Sequence, residues 1–176
     1  LSAEIFQSIN PFIVVFLTPL IMWFFGALAK KGKEPSTPKK IAIGMGIAAL
    51  AFVVMALGSM GLPKLSEVQA MGGLPDAQRV TPLLLFATYI ILTVAELFIS
   101  PLGLSFVSKV APRHLQGLMQ GAWLGATAIG NFSLFLGAIM YESISISGTW
   151  WVFVAVCVAS MIIMLSMVKW LERVAK

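Results

Sequence analysis

Five apolar runs, each long enough to cross a bilayer, alternate with four polar connections, and this alternation constrains the fold more than anything else in the chain. About 20 apolar residues make a helix as long as the hydrocarbon core is thick. The runs cover about 5–28, 41–61, 81–109, 115–141 and 148–170. The expected fold class is therefore all-α, a polytopic helical membrane protein with five transmembrane helices. Composition agrees: of 176 residues 59% are hydrophobic and only 11% charged, more apolar surface than a soluble domain of this size can hide.

The charges collect between the runs and set an orientation. Lys30, Lys31, Lys33, Lys39 and Lys40 crowd the first connection, KVAPRH (109–114) forms a basic turn, and Lys169, Arg173 and Lys176 close the chain. The other two connections are neutral or acidic. Basic segments stay in the cytoplasm, so the N-terminus is expected outside and the C-terminus inside the cell (inner) membrane. The net charge of +5 then needs no nucleic acid to explain it. The chain begins at Leu1 without a basic leader, and an outside N-terminus calls for a preceding helix, so we expect a piece of a longer chain.

Several chemistries are excluded. Cys157 is the single cysteine and His114 the single histidine, so neither a disulfide framework, nor a cysteine zinc cluster, nor a bis-histidine haem can be built from this chain. No metal and no cofactor is expected. An intramembrane protease needs a Ser–His pair or two facing acids, and a membrane-anchor subunit of a redox complex would show paired histidines. Neither pattern is present, and an enzyme is not expected.

One residue stands out against the apolar background. Glu96 lies near the middle of the third run, where a charged side chain costs roughly 2.5–3.5 kcal/mol to insert, so it should face protein or trapped water. Pro101, five residues on, cannot donate a backbone hydrogen bond and is expected to bend the helix there. Tyr89, Thr93, Glu96, Ser100 and Gly103 recur at helical spacing on one face. They read either as a cavity lining or as hydroxyls bonded back to their own helix.

The fourth run carries two stripes. Gly117, Gly121 and Gly125 recur every four residues, a pattern for close helix contact. Gln116, Gln120, Trp123, Thr127 and Asn131 lie on a neighbouring face, either as the second wall of a wet cavity or as hydrogen-bonding glue between helices. In the first run, Asn10-Pro11 suits a helix start, with Asn10 as the cap. Trp150, Trp151 and Trp170 read as interfacial anchors of the last run.

Three stretches carry a resemblance: FQSINPFIVVFLTPL (6–20), AELFISPLGLSFVSKVAP (95–112) and QGLMQGAWLGATAIGN (116–131). In order and spacing they resemble the proton-dependent oligopeptide transporters, major-facilitator proteins that carry di- and tripeptides. The resemblance implies that this chain corresponds to helices eight to twelve of a twelve-helix transporter, part of its C-terminal bundle. It implies substrate contacts at Glu96 for the peptide amino terminus, at Asn10 for the same end, at Trp123 for a side-chain pocket and at Ser100 on the cavity wall. Pro101, Gly117 and Gly121 become candidate hinges, and the proton becomes the coupling ion. The expected partners are a di- or tripeptide, the proton, the lipid bilayer and the missing N-terminal helices, which hold the family's proton-linked glutamate and arginine motif. Alone, the fragment is not expected to transport. Related transporters carry nitrate or other solutes, but an acid at the site repels an anion.

Overall fold

The computed structural model describes residues 3–72 and 82–174, apart from the side chains of residues 3–10, Leu65 and Pro82. Thr81, whose residue type and place before Pro82 suit a cap for the third span, lies outside them. The described residues form only helices: α1 (Ala3–Lys30), α2 (Thr37–Gly58), α3 (Leu65–Ala70), α4 (Pro82–Val110), α5 (Gln116–Phe132), α6 (Phe135–Ser143) and α7 (Ile146–Val174). A 3-10 turn, Arg113–Leu115, leads into α5. Five stretches are long and apolar enough to cross a membrane, the fourth being α5 and α6 together.

α2 is the centre of the packing, with α4 against one side and α7 against the other. Its buried positions are mostly small, including Gly44, Ala49, Ala51 and Ala56. Small residues let helix backbones approach closely where lipid supplies no hydrophobic drive between helices. A Cβ built on Gly44 would lie 2.7 Å from Phe98 Cβ and 3.2 Å from the Ala95 carbonyl, so α4 crosses α2 where only hydrogen fits. Against α7, Phe52 stacks on Trp150 and Phe153 at centroid distances of 5.8 and 5.5 Å. Trp150 also meets the edge of Tyr141 at 5.9 Å. Trp150 thus sits in an aromatic cluster near the start of α7, whereas Trp151 and Trp170 are exposed.

Polar contacts hold both ends of the α2–α7 pair. At one end the Ser36 hydroxyl donates to Glu172 at 2.5 Å, and Lys39 pairs with the same carboxylate at 3.0 Å. At the other, the Ser147 hydroxyl donates to the Ala56 carbonyl at 2.8 Å. The two helices therefore run antiparallel, and the basic first connection shares a face with the C-terminal end of α7.

The helix ends depart from the sequence reading in ways with local causes. α1 already runs from Ala3, so Asn10 is inside the helix and is not its cap, and Pro11 and Pro19 are both internal. Interior prolines are tolerated in membrane helices because neighbours can satisfy the freed carbonyls. α1 stops at Gly32, whose φ of 64° suits a residue without a Cβ, while Lys33 N–H donates to the Leu28 carbonyl and Gly32 N–H to that of Ala29. Pro38 falls in the first turn of α2, where its missing N–H costs nothing, so that helix starts at Thr37 rather than at residue 41. The fourth span is broken: at Ser133–Leu134 the bonds tighten to three-residue spacing, with Leu136 N–H donating to Ser133 and Gly137 N–H to Leu134. Ser133 also turns its hydroxyl back onto the Ile129 carbonyl, which bends helices.

Candidate functional site

α1, α4 and α5 wall a pocket of about 480 Å³ lined by Val14, Thr18, Glu96, Leu97, Ser100, Pro101, Leu104, Trp123, Leu124 and Thr127. Three of the four sequence-derived substrate contacts, Glu96, Ser100 and Trp123, meet there, with Pro101 beside them. Glu96 and Ser100 are exposed on the pocket wall. α4 passes through Pro101 without a break. Because Pro101 has no N–H, the Leu97 carbonyl one turn back loses its helical donor beside the pocket. Asn10 lies in α1, but its side chain is outside what the structure describes.

The stripe on α4 divides. Thr93 is 1% exposed and donates to the Tyr89 carbonyl at 2.8 Å, the back-bonded arrangement, while Glu96 and Ser100 line the pocket. The α5 stripe divides too. Gln116 donates to the Ser108 carbonyl at 3.0 Å and Gln120 to the Ser108 hydroxyl at 2.8 Å, so these two tie α5 to the end of α4. Trp123 and Thr127, further along, form pocket wall. That face thus carries interhelical hydrogen bonds at one end and pocket wall further along. Replacing Ser108 with alanine removes the acceptor of Gln120, and we expect a loss of about 1 kcal/mol in thermal unfolding. An unshifted unfolding curve would show that this bond contributes nothing.

Gly103 is the residue the sequence reading undervalued. A Cβ there would fall 2.2 Å from Trp123 Cζ2 and 2.3 Å from Cη2, so the indole lies directly on the α4 backbone at this glycine. The glycine stripe of α5 shows the opposite. A methyl at Gly117, Gly121 or Gly125 would meet nothing within 4 Å, so that face is not the tight contact expected with another helix of the described chain.

Lys40 is a second departure. Read as a loop charge, it is 7% exposed, pairs with Glu34 and lies 4.2 Å from the centre of the Phe25 ring. It belongs to a groove of about 390 Å³ that shares Thr18, Leu97 and Pro101 with the Glu96 pocket. A buried ammonium is tolerated where a carboxylate and an aromatic face replace its water.

Five bilayer-length apolar stretches, three of which wall a pocket with one carboxylate, mark an integral membrane helical bundle. The sequence model of the POT family matches residues 1–164, and the chain belongs to that family. Among relatives, it is 36% identical over 128 residues to Peptide transporter YePEPT of Yersinia enterocolitica, covering 73% of this chain and 23% of that protein. It is 30% identical over 181 residues to Dipeptide and tripeptide permease B of Salmonella typhimurium, covering 96% of this chain and 34% of that one. Among solved structures, the peptide transporter POT in complex with sulfate superposes with a TM-score of 0.78 at 25% identity, over 96% of this chain and 31% of that one. A mutant of peptide transporter POT in complex with alafosfalin gives 0.75 at 26% identity, over 100% and 33%. The chain thus spans about a quarter to a third of the length of the curated relatives it matches.

Proposed function

We propose that the complete protein carries di- and tripeptides into the cell together with protons by alternating access, and that this chain is part of its C-terminal helical bundle. The observation that carries the reading is the convergence of Glu96, Ser100 and Trp123, chosen from the sequence, on one pocket between three spans. A peptide ammonium is a compact cation that gains most from a carboxylate in a site of low dielectric. Glu96 supplies the carboxylate, Asn10 a neutral acceptor for the same end, Ser100 a hydroxyl on the wall, and Trp123 an apolar surface for a side chain. Ammonium and proton compete at, or communicate through, this acid, and together with groups on the remaining helices this links their movements. Pro101, Gly117 and Gly121 allow α4 and α5 to flex as the site changes sides. The reaction is movement of solute, with no chemical transformation and no cofactor beyond the coupling proton.

The same proposal sets the chain in the inner membrane with its first residue outside and its last in the cytoplasm, because the basic connection at Lys30–Lys40 shares a face with the end of α7. Its partners are the peptide, the proton, the bilayer and the remaining helices of the same transporter. Thermal unfolding of the complete protein with dialanine, alanine or nitrate tests the substrate class. Dialanine at a hundredfold excess over its Kd should stabilise by about 2.7 kcal/mol, and the other two should not. Stabilisation by nitrate alone would sink the peptide reading.

A further inference from the structure

Trp123 lines two cavities. On one side is the Glu96 pocket, and on the other a space of about 510 Å³ walled by α2, α4, α5 and α7, where Ile41, Met45, Phe106, Val107, Met119 and Met164 contribute apolar surface. The indole belongs to both linings, so it stands between them. Its place is set by one residue, since the ring lies over Gly103 at distances no other residue there would allow.

We propose that Gly103 is a specificity-determining positioning residue, which lets the Trp123 indole lie close against α4 and thereby sets the largest side chain the Glu96 pocket accepts. The apolar cavity behind the indole is room for a bulky apolar side chain that the ring, held in this position, closes off. This rests on the peptide reading above and adds to it the class of side chain selected. The occupant follows from the walls. The cavity adjoins a pocket that holds one carboxylate, while its own lining is hydrocarbon, thioether and aromatic, which favours an uncharged, apolar group. A methyl at residue 103 lifts the ring off the helix and into the space both cavities share, so large side chains lose room first. Removing the ring joins the two spaces, so large side chains gain.

The test uses the complete transporter in proteoliposomes and reads competition by phenylalanyl-phenylalanine relative to dialanine against labelled dialanine. Gly103→Ala should weaken the bulky peptide relative to dialanine by on the order of tenfold, and Trp123→Ala should strengthen it by a similar factor. Adding Met164→Phe to Trp123→Ala narrows the cavity from α7 and should cancel the gain. In a Trp123→Phe background the shorter ring clears the added methyl, so Gly103→Ala should then move the ratio little, the non-additivity expected of two groups in contact. A ratio unmoved by Gly103→Ala and Trp123→Ala, with dialanine still carried, overturns the inference and leaves the peptide reading intact. No dialanine uptake by the unmodified transporter overturns both. If Gly103→Ala does not reach the membrane, the Trp123→Ala and Met164→Phe pair decides, because a role for Gly103 in folding alone would not produce a gain that a residue on α7 reverses.

Discussion

Glu96→Gln in the complete transporter should cut proton-driven dipeptide uptake by at least about tenfold, since a hydrogen bond to a charged group is worth about 1.5–3 kcal/mol and an amide offers the ammonium no charge. The substitution keeps shape and one acceptor oxygen, and the side chain is on the pocket wall rather than in the α2–α4 packing, so the protein should fold and reach the membrane. The loss should appear both in binding and in the response to a pH gradient, because glutamine neither attracts the ammonium nor takes up the proton. Uptake of a labelled dipeptide into proteoliposomes, with and without an inward proton gradient, measures both. Normal transport by both Glu96→Gln and Asn10→Ala would mean that the site is elsewhere.

Gly44→Val should be the most damaging packing change in the bundle. Its Cβ would meet Phe98 Cβ at 2.7 Å, Ile99 Cγ1 at 2.8 Å and the Ala95 carbonyl at 3.2 Å, all main chain or one or two bonds from it. None is the loose end of a long side chain, so the helices must separate, at a cost of about 1–3 kcal/mol or more. Ala95 and Phe98 flank Glu96 and Leu97, so separating α2 from α4 also shifts the pocket wall. Thermal unfolding in detergent should show the loss, and dipeptide affinity should fall with it. Ile43→Val, at a neighbouring position 45% exposed, should change neither. Equal unfolding temperatures for the two variants would show that the crossing at Gly44 is not as close as described.

The number and order of the spans were legible in the sequence because lipid forces every long apolar run to be a helix. Glu96, Ser100 and Trp123 were legible because polar and aromatic residues at helical spacing stand out against such a background. What was hidden depends on partners distant in the chain. Lys40 sits in a basic run like its neighbours, and nothing local marks it as the residue that Phe25 and Glu34 enclose. Gly103 looks like any glycine in a membrane helix until Trp123 from the next span is seen lying on it. The glycines of α5 show the converse, since a regular stripe of small residues marks where a helix can be approached, not that one of its own chain approaches it. Asn10-Pro11 misled for a local reason: the pair suits a helix start, yet α1 carries Pro11 as an interior residue.

The way α4 is shared between neighbours has a mechanical consequence. α2 holds α4 on one side and α7 on the other through broad, small-residue and aromatic contacts, fastened by polar ties at both ends of the α2–α7 pair. Among the described residues of this chain, α1 and α5 rest on α4 far more lightly. They are also the two helices that complete the walls around Glu96. The acid is therefore mounted on a stiff slab while the surfaces opposite it hang from its edge. Displacing either one changes the aperture without disturbing the post that carries the charge.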